Sequence, residues 1–150
     1  LFSTYDYFLY QALSQSNDTQ LAAIAAKGLK EVAYHLEHAA DWALRLGDGT
    51  EESHRRYQKA INDLWPFTGE LFEMNESDQV LIKAGIAPDL NEIEAKWKLK
   101  VMEVLNLAGI EIPGNSYMHT GGLNGVHTEY LGHLLSEMQF LQRAYPDAKW

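Results

Sequence analysis

The segment from residue 18 to residue 47 constrains the fold of this chain more than any other part of the sequence. Its apolar residues recur at helical spacing on one stripe, which consists of Leu21, Ala25, Leu29, Val32 and Leu36. A second face of the same predicted helix carries Ile24 and Gly28. A helix that is apolar on two faces packs against more than one neighbour. The sequence therefore predicts that this long helix lies inside a helical bundle.

A shorter helix is predicted over residues 2–15, and only a turn at residues 16–18 separates it from the long helix. Short connections make consecutive helices antiparallel neighbours, so residues whose numbers sum to about 37 lie at the same height. The resulting seam pairs Phe2 with His35, Asp6 with Glu31, Leu9 with Gly28, and Leu13 with Ile24. Facing carboxylates inside a bundle need hydrogen bonds, protons or a metal ion. We therefore predict a buried polar layer that contains Asp6, Glu31 and His35.

The rest of the sequence is also helical in pattern. Thr50 is expected to cap a third helix that Pro66 interrupts. One short helix is predicted within residues 73–85, a fourth long helix over residues 89–108, and a fifth over residues 126–145. No stretch alternates as a β-strand does. The predicted fold class is all-α, in one domain or part of one.

The composition excludes several function classes. The chain has no cysteine, so disulfides, thiolate metal sites and cysteine nucleophiles are absent, as expected for a reducing, cytoplasmic location. The 21 acidic residues outnumber the 12 basic ones and give a net charge of −9, which disfavours nucleic acid as a partner. No apolar run approaches the ~20 residues of a membrane span. The sequence therefore predicts neither a nucleic-acid nor a membrane partner.

The spacing of acids and histidines argues against a metal centre on this chain. Di-iron sites in helical bundles use Glu-x-x-His motifs on inward helix faces. Glu31 is followed three residues later by Tyr34, and Glu129 by Gly132. The one Glu-x-x-His pair, Glu51 with His54, falls in the predicted first turn after a cap. We therefore predict no metal and no catalytic residue here.

Two alternative functions remain open at this point. A single ion held by Asp6, Glu31, His35 and His38 would make the chain a stand-alone metal-binding oxidoreductase. Lys96, Lys98 and Lys100 would suit an acidic ligand such as coenzyme A, which would make it an acyl-CoA-binding module, although a solvated lysine face is the simpler interpretation. The glycine-rich residues 121–125 lead into a helix, but they follow no strand and have no nearby Lys or Arg, so they do not match a phosphate-binding loop.

Four strings of the sequence resemble one known family. They are LKEVAYHLEHAADW at residues 29–42, LWPFTGELF at 64–72, GVHTEYLG at 125–132 and SEMQFLQRA at 136–144. Together they resemble the C subunits of phenylacetyl-CoA epoxidases, also called phenylacetic acid degradation C subunits, of the ferritin-like superfamily. The resemblance implies a ferritin-like helical bundle, with residues 1–150 forming the C-terminal part of a single domain that lacks its N-terminal helices.

The resemblance also implies a function. The C subunit would be a non-catalytic structural subunit of a multicomponent monooxygenase in aerobic phenylacetate catabolism. A catalytic A subunit would carry the di-iron centre and epoxidise the ring of phenylacetyl-CoA, and a reductase with flavin and iron–sulfur groups would supply electrons from NADPH. Asp6, Glu31, Tyr34 and His35 would then be vestigial metal-site positions.

The apolar stripe from Leu21 to Leu36 also predicts a partner. Leaving four such side chains in water would cost several kcal/mol, since each buried aliphatic side chain contributes ~1.5–3 kcal/mol. We expect a second copy of the chain, an N-terminal fragment or the A subunit to cover this stripe.

Overall fold

The computed structural model describes residues 1–114 and 117–149. Seven α-helices lie in this part of the chain: α1 (Phe2–Leu13), α2 (Thr19–Gly47), α3 (Glu51–Leu64), α4 (Glu76–Lys83), α5 (Leu90–Leu107), α6 (Glu129–Met138) and α7 (Phe140–Ala144). Short 3₁₀ turns occupy Trp65–Phe67, Gly69–Phe72 and Gly122–Asn124. No β-strand occurs among the described residues, and the predicted all-α class is confirmed.

The chain divides into two compact units, Leu1–His119 and Thr120–Trp150. The first unit holds α1 to α5, and the second holds α6 and α7. Within the described ranges, no helix has the length and apolarity that a membrane span requires. The expectation that residues 1–150 belong to a single ferritin-like domain stays a prediction.

Helix ends follow the capping residues that the sequence supplies. The Asp18 carboxylate accepts hydrogen bonds from the backbone N–H groups of Gln20 and Leu21 at 2.9 and 3.0 Å, and thereby starts α2. Thr50 and Ser53 exchange hydrogen bonds in a capping box at the start of α3. Asp89 caps α5 by accepting from the N–H of Asn91 at 2.9 Å. These boundaries agree with the predicted ones.

The second unit differs from its prediction in one respect. One helix was expected over residues 126–145, but α6 starts at Glu129 and the helix breaks at Gln139 before α7. Residues 126–128 stay outside the helix because the Val126 N–H donates to the Gly121 carbonyl at 3.0 Å and closes a loop. Gly121 and Gly125 have φ angles of 93° and 80°, which favour glycine.

The core of the first unit is built on one stripe of α5. Ile93, Trp97, Val101 and Leu105 are all buried on this stripe. The Trp97 indole lies 5.8 Å from the Trp65 ring and 5.3 Å from the Phe72 ring, centroid to centroid. Its Nε1–H donates to the Leu1 carbonyl at 2.9 Å, so its one polar atom is satisfied inside the core.

The turn between α1 and α2 is fixed by contacts with the end of α4. The Asn17 side chain donates to the Ala84 carbonyl at 2.9 Å, and its backbone N–H donates to the Gly85 carbonyl at the same distance. The Ser16 hydroxyl donates to the Ile86 carbonyl at 2.7 Å. The predicted turn at residues 16–18 is therefore confirmed and also tethered.

The apolar stripe of α2 is covered in part by the chain itself. Ala25 and Val32 on this stripe are buried, whereas Leu21, Leu29 and Leu36 are half-buried. Helices α1, α3 and α5 all pack on α2. Leu36 lines a small cavity together with Thr4 of α1 and Val101 of α5. The chain thus buries part of this stripe, and the expected cover from outside the chain stays a prediction.

The ends of α2 and α5 approach each other closely at Gly47 and Ala108. A Cβ atom on Gly47 would lie 2.8 Å from the Ala108 Cβ and closer still to the Ala108 carbonyl oxygen. Both residues are buried. Only glycine fits at this position without moving backbone.

We therefore expect Gly47→Ala to lower the free energy of unfolding by about 1–3 kcal/mol through overpacking. Urea unfolding followed by tryptophan fluorescence and by circular dichroism measures this change. Gly132→Ala is the matched control, since Gly132 lies within α6 with open space around its Cβ position. It should be neutral or stabilising by up to ~1 kcal/mol. Equal stability of Gly47→Ala and the wild-type chain would contradict the close approach.

Candidate functional site

The predicted site residues of α2 lie on one exposed face of that helix, which we call the outer stripe. At 100° per residue, the following side chains fall within about 60° of Glu31: Ile24, Lys27, Tyr34, His35, His38, Trp42 and Arg45. Ile24 is 60% exposed, Tyr34 62% and Trp42 48%. The buried face of α2, with Ala25, Val32 and Ala43, points elsewhere.

The rings of the outer stripe contact one another along the helix. The Tyr34 ring stacks on the His38 ring at 5.9 Å between centroids, and His38 meets Trp42 edge-on at 6.4 Å. The Arg45 guanidinium lies 5.7 Å from the centre of the Trp42 ring, within cation–π range. These four side chains therefore form a continuous surface of three rings and one guanidinium over about three turns of α2.

Glu31 and His35 of the predicted polar layer are on the surface, and Asp6 is only partly buried. Glu31 Oε1 lies 3.9 Å from His35 Nε2, and these side chains are 77% and 51% exposed. Asp6 on α1 is half-buried. Burial raises the pKa of Asp6 above its ordinary value, while the charge of His35 opposes that rise. Asp6, Glu31 and His35 are thus electrostatic neighbours.

The prediction of a buried layer is wrong for Glu31 and His35, and the reason is the rotation of α2. Helix α1 packs against α2 at Gly28, where a Cβ would lie 2.6 Å from the Tyr10 ring. This contact, together with the α5 face, turns Ala25 and Val32 inward. Glu31, a quarter turn away from Val32, is left on the outside.

These positions do not fit a di-iron centre. Such a centre needs several carboxylate and histidine ligands that converge on an interior point. Among residues 1–114 and 117–149, no group of three or more His, Asp and Glu side chains lies close enough to hold a metal ion. At the four predicted positions, the donors are one exposed acid–histidine pair, Glu31 and His35, with Asp6 beside it. The expected vestigial role of Asp6, Glu31, Tyr34 and His35 stays a prediction.

The remaining candidates of the sequence have other contacts. His54 Nδ1 lies 2.8 Å from the Gly47 carbonyl oxygen, so this histidine ties α3 to the end of α2. Lys98 pairs with Glu94 at 2.7 Å and Lys100 with Glu103 at 3.1 Å along α5. Two of the three lysines are thus engaged within their own helix, as on a solvated face.

The sequence analysis missed two features of this region. The first is the ring ladder of Tyr34, His38 and Trp42, whose signal was the i, i+4 spacing of three aromatic or imidazole side chains. The second is the bond between His54 and the Gly47 carbonyl. No local pattern in the sequence indicates that bond. The Gly-Asp-Gly segment between α2 and α3 is compatible with many angles between the two helices.

Comparisons with known proteins assign this sequence to a family. The family model described as "Phenylacetic acid catabolic protein" matches residues 1–150. A protein of Escherichia coli (strain K12), named as the C subunit of 1,2-phenylacetyl-CoA epoxidase, is 46% identical over 142 residues. The match covers 95% of this chain and 57% of the relative. The chain thus spans somewhat more than half the length of that protein.

The raised pKa of Asp6 gives a test of its surroundings. A carboxyl group whose pKa is higher in the folded chain disfavours folding once it is ionised, so stability falls as the pH rises through its ordinary value of 3.8 toward the raised one. We expect Asp6→Asn to be more stable than wild type at pH 7, by no more than about 1 kcal/mol because the group is largely solvated. The difference should shrink as the pH approaches 3.8.

Chemical unfolding at a series of pH values measures that difference. Glu37→Gln, on the exposed side of α2, is the control and should stay within about 0.5 kcal/mol of wild type at every pH. A destabilised Asp6→Asn variant at pH 7 would show instead that the ionised carboxylate supports the fold.

Proposed function

We propose that this chain, which belongs to the phenylacetic acid catabolic protein family, acts as a structural, non-catalytic subunit of an epoxidase. The enzyme would be a multicomponent di-iron monooxygenase that epoxidises the aromatic ring of phenylacetyl-CoA. It would work in the cytoplasm, in aerobic phenylacetate catabolism. The relative that is named as a C subunit supports the place of this chain in a complex, because a subunit implies at least one other chain.

The position of the acids and histidines on α2 carries the non-catalytic part of the proposal. A di-iron subunit directs these side chains into the space between helices, where water is excluded and several ligands converge. In this chain Glu31, Tyr34 and His35 lie on the exposed face of α2. The inward face at the same height carries Val32 and Leu36, which offer no ligand atoms. This inward face of α2 therefore contributes apolar packing and no metal ligands.

A catalytic A subunit is the partner that this proposal requires. It would hold the di-iron centre and bind phenylacetyl-CoA, and a separate reductase with flavin and iron–sulfur groups would deliver electrons from NADPH. The residues of this chain would then support the A subunit through protein contacts. Its surplus of acidic residues, with a net charge of −9, suits a basic surface on the partner.

The proposal predicts that substitutions at the vestigial positions leave the reaction nearly intact. We expect a Glu31→Ala, His35→Ala double variant, mixed with the A subunit and the reductase, to form epoxide from phenylacetyl-CoA at no less than about half the wild-type rate. Both side chains are exposed and their 3.9 Å pair contributes little to stability. Product formation is measured by mass spectrometry, and iron is measured in each purified protein.

Two controls make the outcome decisive. Omission of this chain should lower the rate of the A subunit, and circular dichroism should show that the double variant folds. One equivalent of iron on the isolated chain that disappears in the double variant would identify the single-ion oxidoreductase instead. A loss of activity beyond about 100-fold in a folded double variant would likewise assign these residues to the chemistry.

A further inference from the structure

Asn124 and Gly125 lie next to each other in the loop that precedes α6. The side-chain carbonyl carbon of an asparagine is open to attack by the backbone nitrogen of the following residue, which closes a five-membered ring. A following glycine hinders this attack least, because it has no Cβ beside the nitrogen. Asn124 is the one asparagine of the seven in the sequence that a glycine follows. The sequence therefore singles out this side chain for ring closure.

The structure leaves space for the reaction at this position. Asn124 and Gly125 are both exposed. A Cβ atom placed on Gly125 would find no other atom within 4 Å. The Asn124 side chain makes no hydrogen bond to another residue in the part of the chain that the structure describes. Its amide group is therefore free to turn toward the Gly125 nitrogen, and water reaches both groups.

The hydrogen bonds of this loop set the barrier that remains. The backbone N–H of Asn124 donates to the Gly121 carbonyl at 2.8 Å, and the N–H of Val126 donates to the same carbonyl at 3.0 Å. The N–H of Gly125 donates to the Gly122 carbonyl at 3.2 Å, which is the longest of the three bonds. This bond must open before the Gly125 nitrogen reacts. Opening of a short, exposed turn costs little free energy.

The other described asparagines lack this combination of features. Asn106 lies within α5, where the N–H of the next residue belongs to the helical hydrogen bonds. The remaining four have side chains held by hydrogen bonds of 2.8–3.1 Å, and they are Asn17, Asn62, Asn75 and Asn91. Each of these five asparagines is followed by Asp, Glu or Leu, whose side chain hinders the attack.

We propose that Asn124 is a site of spontaneous deamidation. The Gly125 nitrogen forms a bond to the side-chain carbonyl carbon of Asn124, gives its proton to water and displaces ammonia, which leaves a succinimide. Water then opens the succinimide at one of its two carbonyl carbons and yields aspartate or isoaspartate. The overall change consumes one water and releases one ammonia, with no oxidation or reduction. The site is independent of the function proposed above, because it depends on this loop alone.

The two products alter the loop differently. Both add one negative charge to a chain whose net charge is already −9. In isoaspartate the main chain also passes through the former side chain and becomes one carbon atom longer. The hydrogen bonds from Gly125 and Val126 back to Gly122 and Gly121 then cannot both keep their present geometry. Isoaspartate therefore loosens the loop that keeps residues 126–128 outside α6.

Incubation of the native 150-residue chain at mildly alkaline pH tests the site. Tandem mass spectrometry of its peptides locates each conversion of a side-chain amide to an acid. We expect Asn124 to convert at least about tenfold faster than any of the five other described asparagines, since a tenfold ratio of rates needs a difference of only ~1.4 kcal/mol in the barrier. Asn124→Gln is the matched control and should keep its amide over the same time, because its attack closes a less favourable six-membered ring. Faster conversion of any other asparagine would overturn the assignment.

The same incubation in urea measures what the folded loop contributes. We expect Asn124 in the native chain to react at no less than about one-tenth of its rate in urea, because exposed loops open at little cost in free energy. Asn106 within α5 should be slowed by a larger factor on folding, since its helix must open first. A native rate for Asn124 more than about 100-fold below its rate in urea would show that the loop shields the side chain, and would overturn the proposal.

Discussion

Trp97 is the residue through which the parts of the first unit are joined. Its buried indole touches the rings of Trp65 and Phe72, which belong to the 3₁₀ turns after α3. Its N–H binds the Leu1 carbonyl at the start of α1. A side chain of this size contributes a large apolar area, and its single donor must be satisfied when it is buried. Trp97 therefore sets the height at which α1 meets α5, and with it the position of the whole α1–α2 hairpin.

The position of the hairpin determines which face of α2 becomes interior. Once α5 lies alongside, the face with Val32 and Ala43 is buried, and small residues let the helices approach closely. Gly47 marks the end of this contact, where α2 comes within van der Waals distance of Ala108. Glu31 is on the outside for the same reason, since a helix cannot bury opposite faces against one neighbour. The exposure of the candidate metal positions on α2 is thus determined by helix contacts several turns away from them.

A helix that turns its acids and histidines outward places them in solvent instead of at an interior site. The outer stripe of α2 exposes charges of both signs together with rings that contact one another along the helix. The chain belongs to the phenylacetic acid catabolic protein family and is similar to a protein named as an epoxidase subunit. The two faces of α2 differ accordingly, since one packs inside the first unit and the other is exposed.

The sequence by itself determined the helices and most of their ends, whereas only the tertiary structure decided how α2 is rotated about its axis. Asp18, Thr50 and Asp89 supply caps and Pro66 ends a helix, because these effects act within a few residues. Both apolar faces of α2 were plausible interiors, and the choice depended on contacts between residues far apart in the chain, such as Tyr10 at the Gly28 position. Rotation of a helix by about a quarter turn changes none of its local hydrogen bonds, so no short-range signal in the sequence records it. Such a rotation nevertheless decides whether the polar residues of α2 are buried or exposed, because burial depends on how the helices pack together.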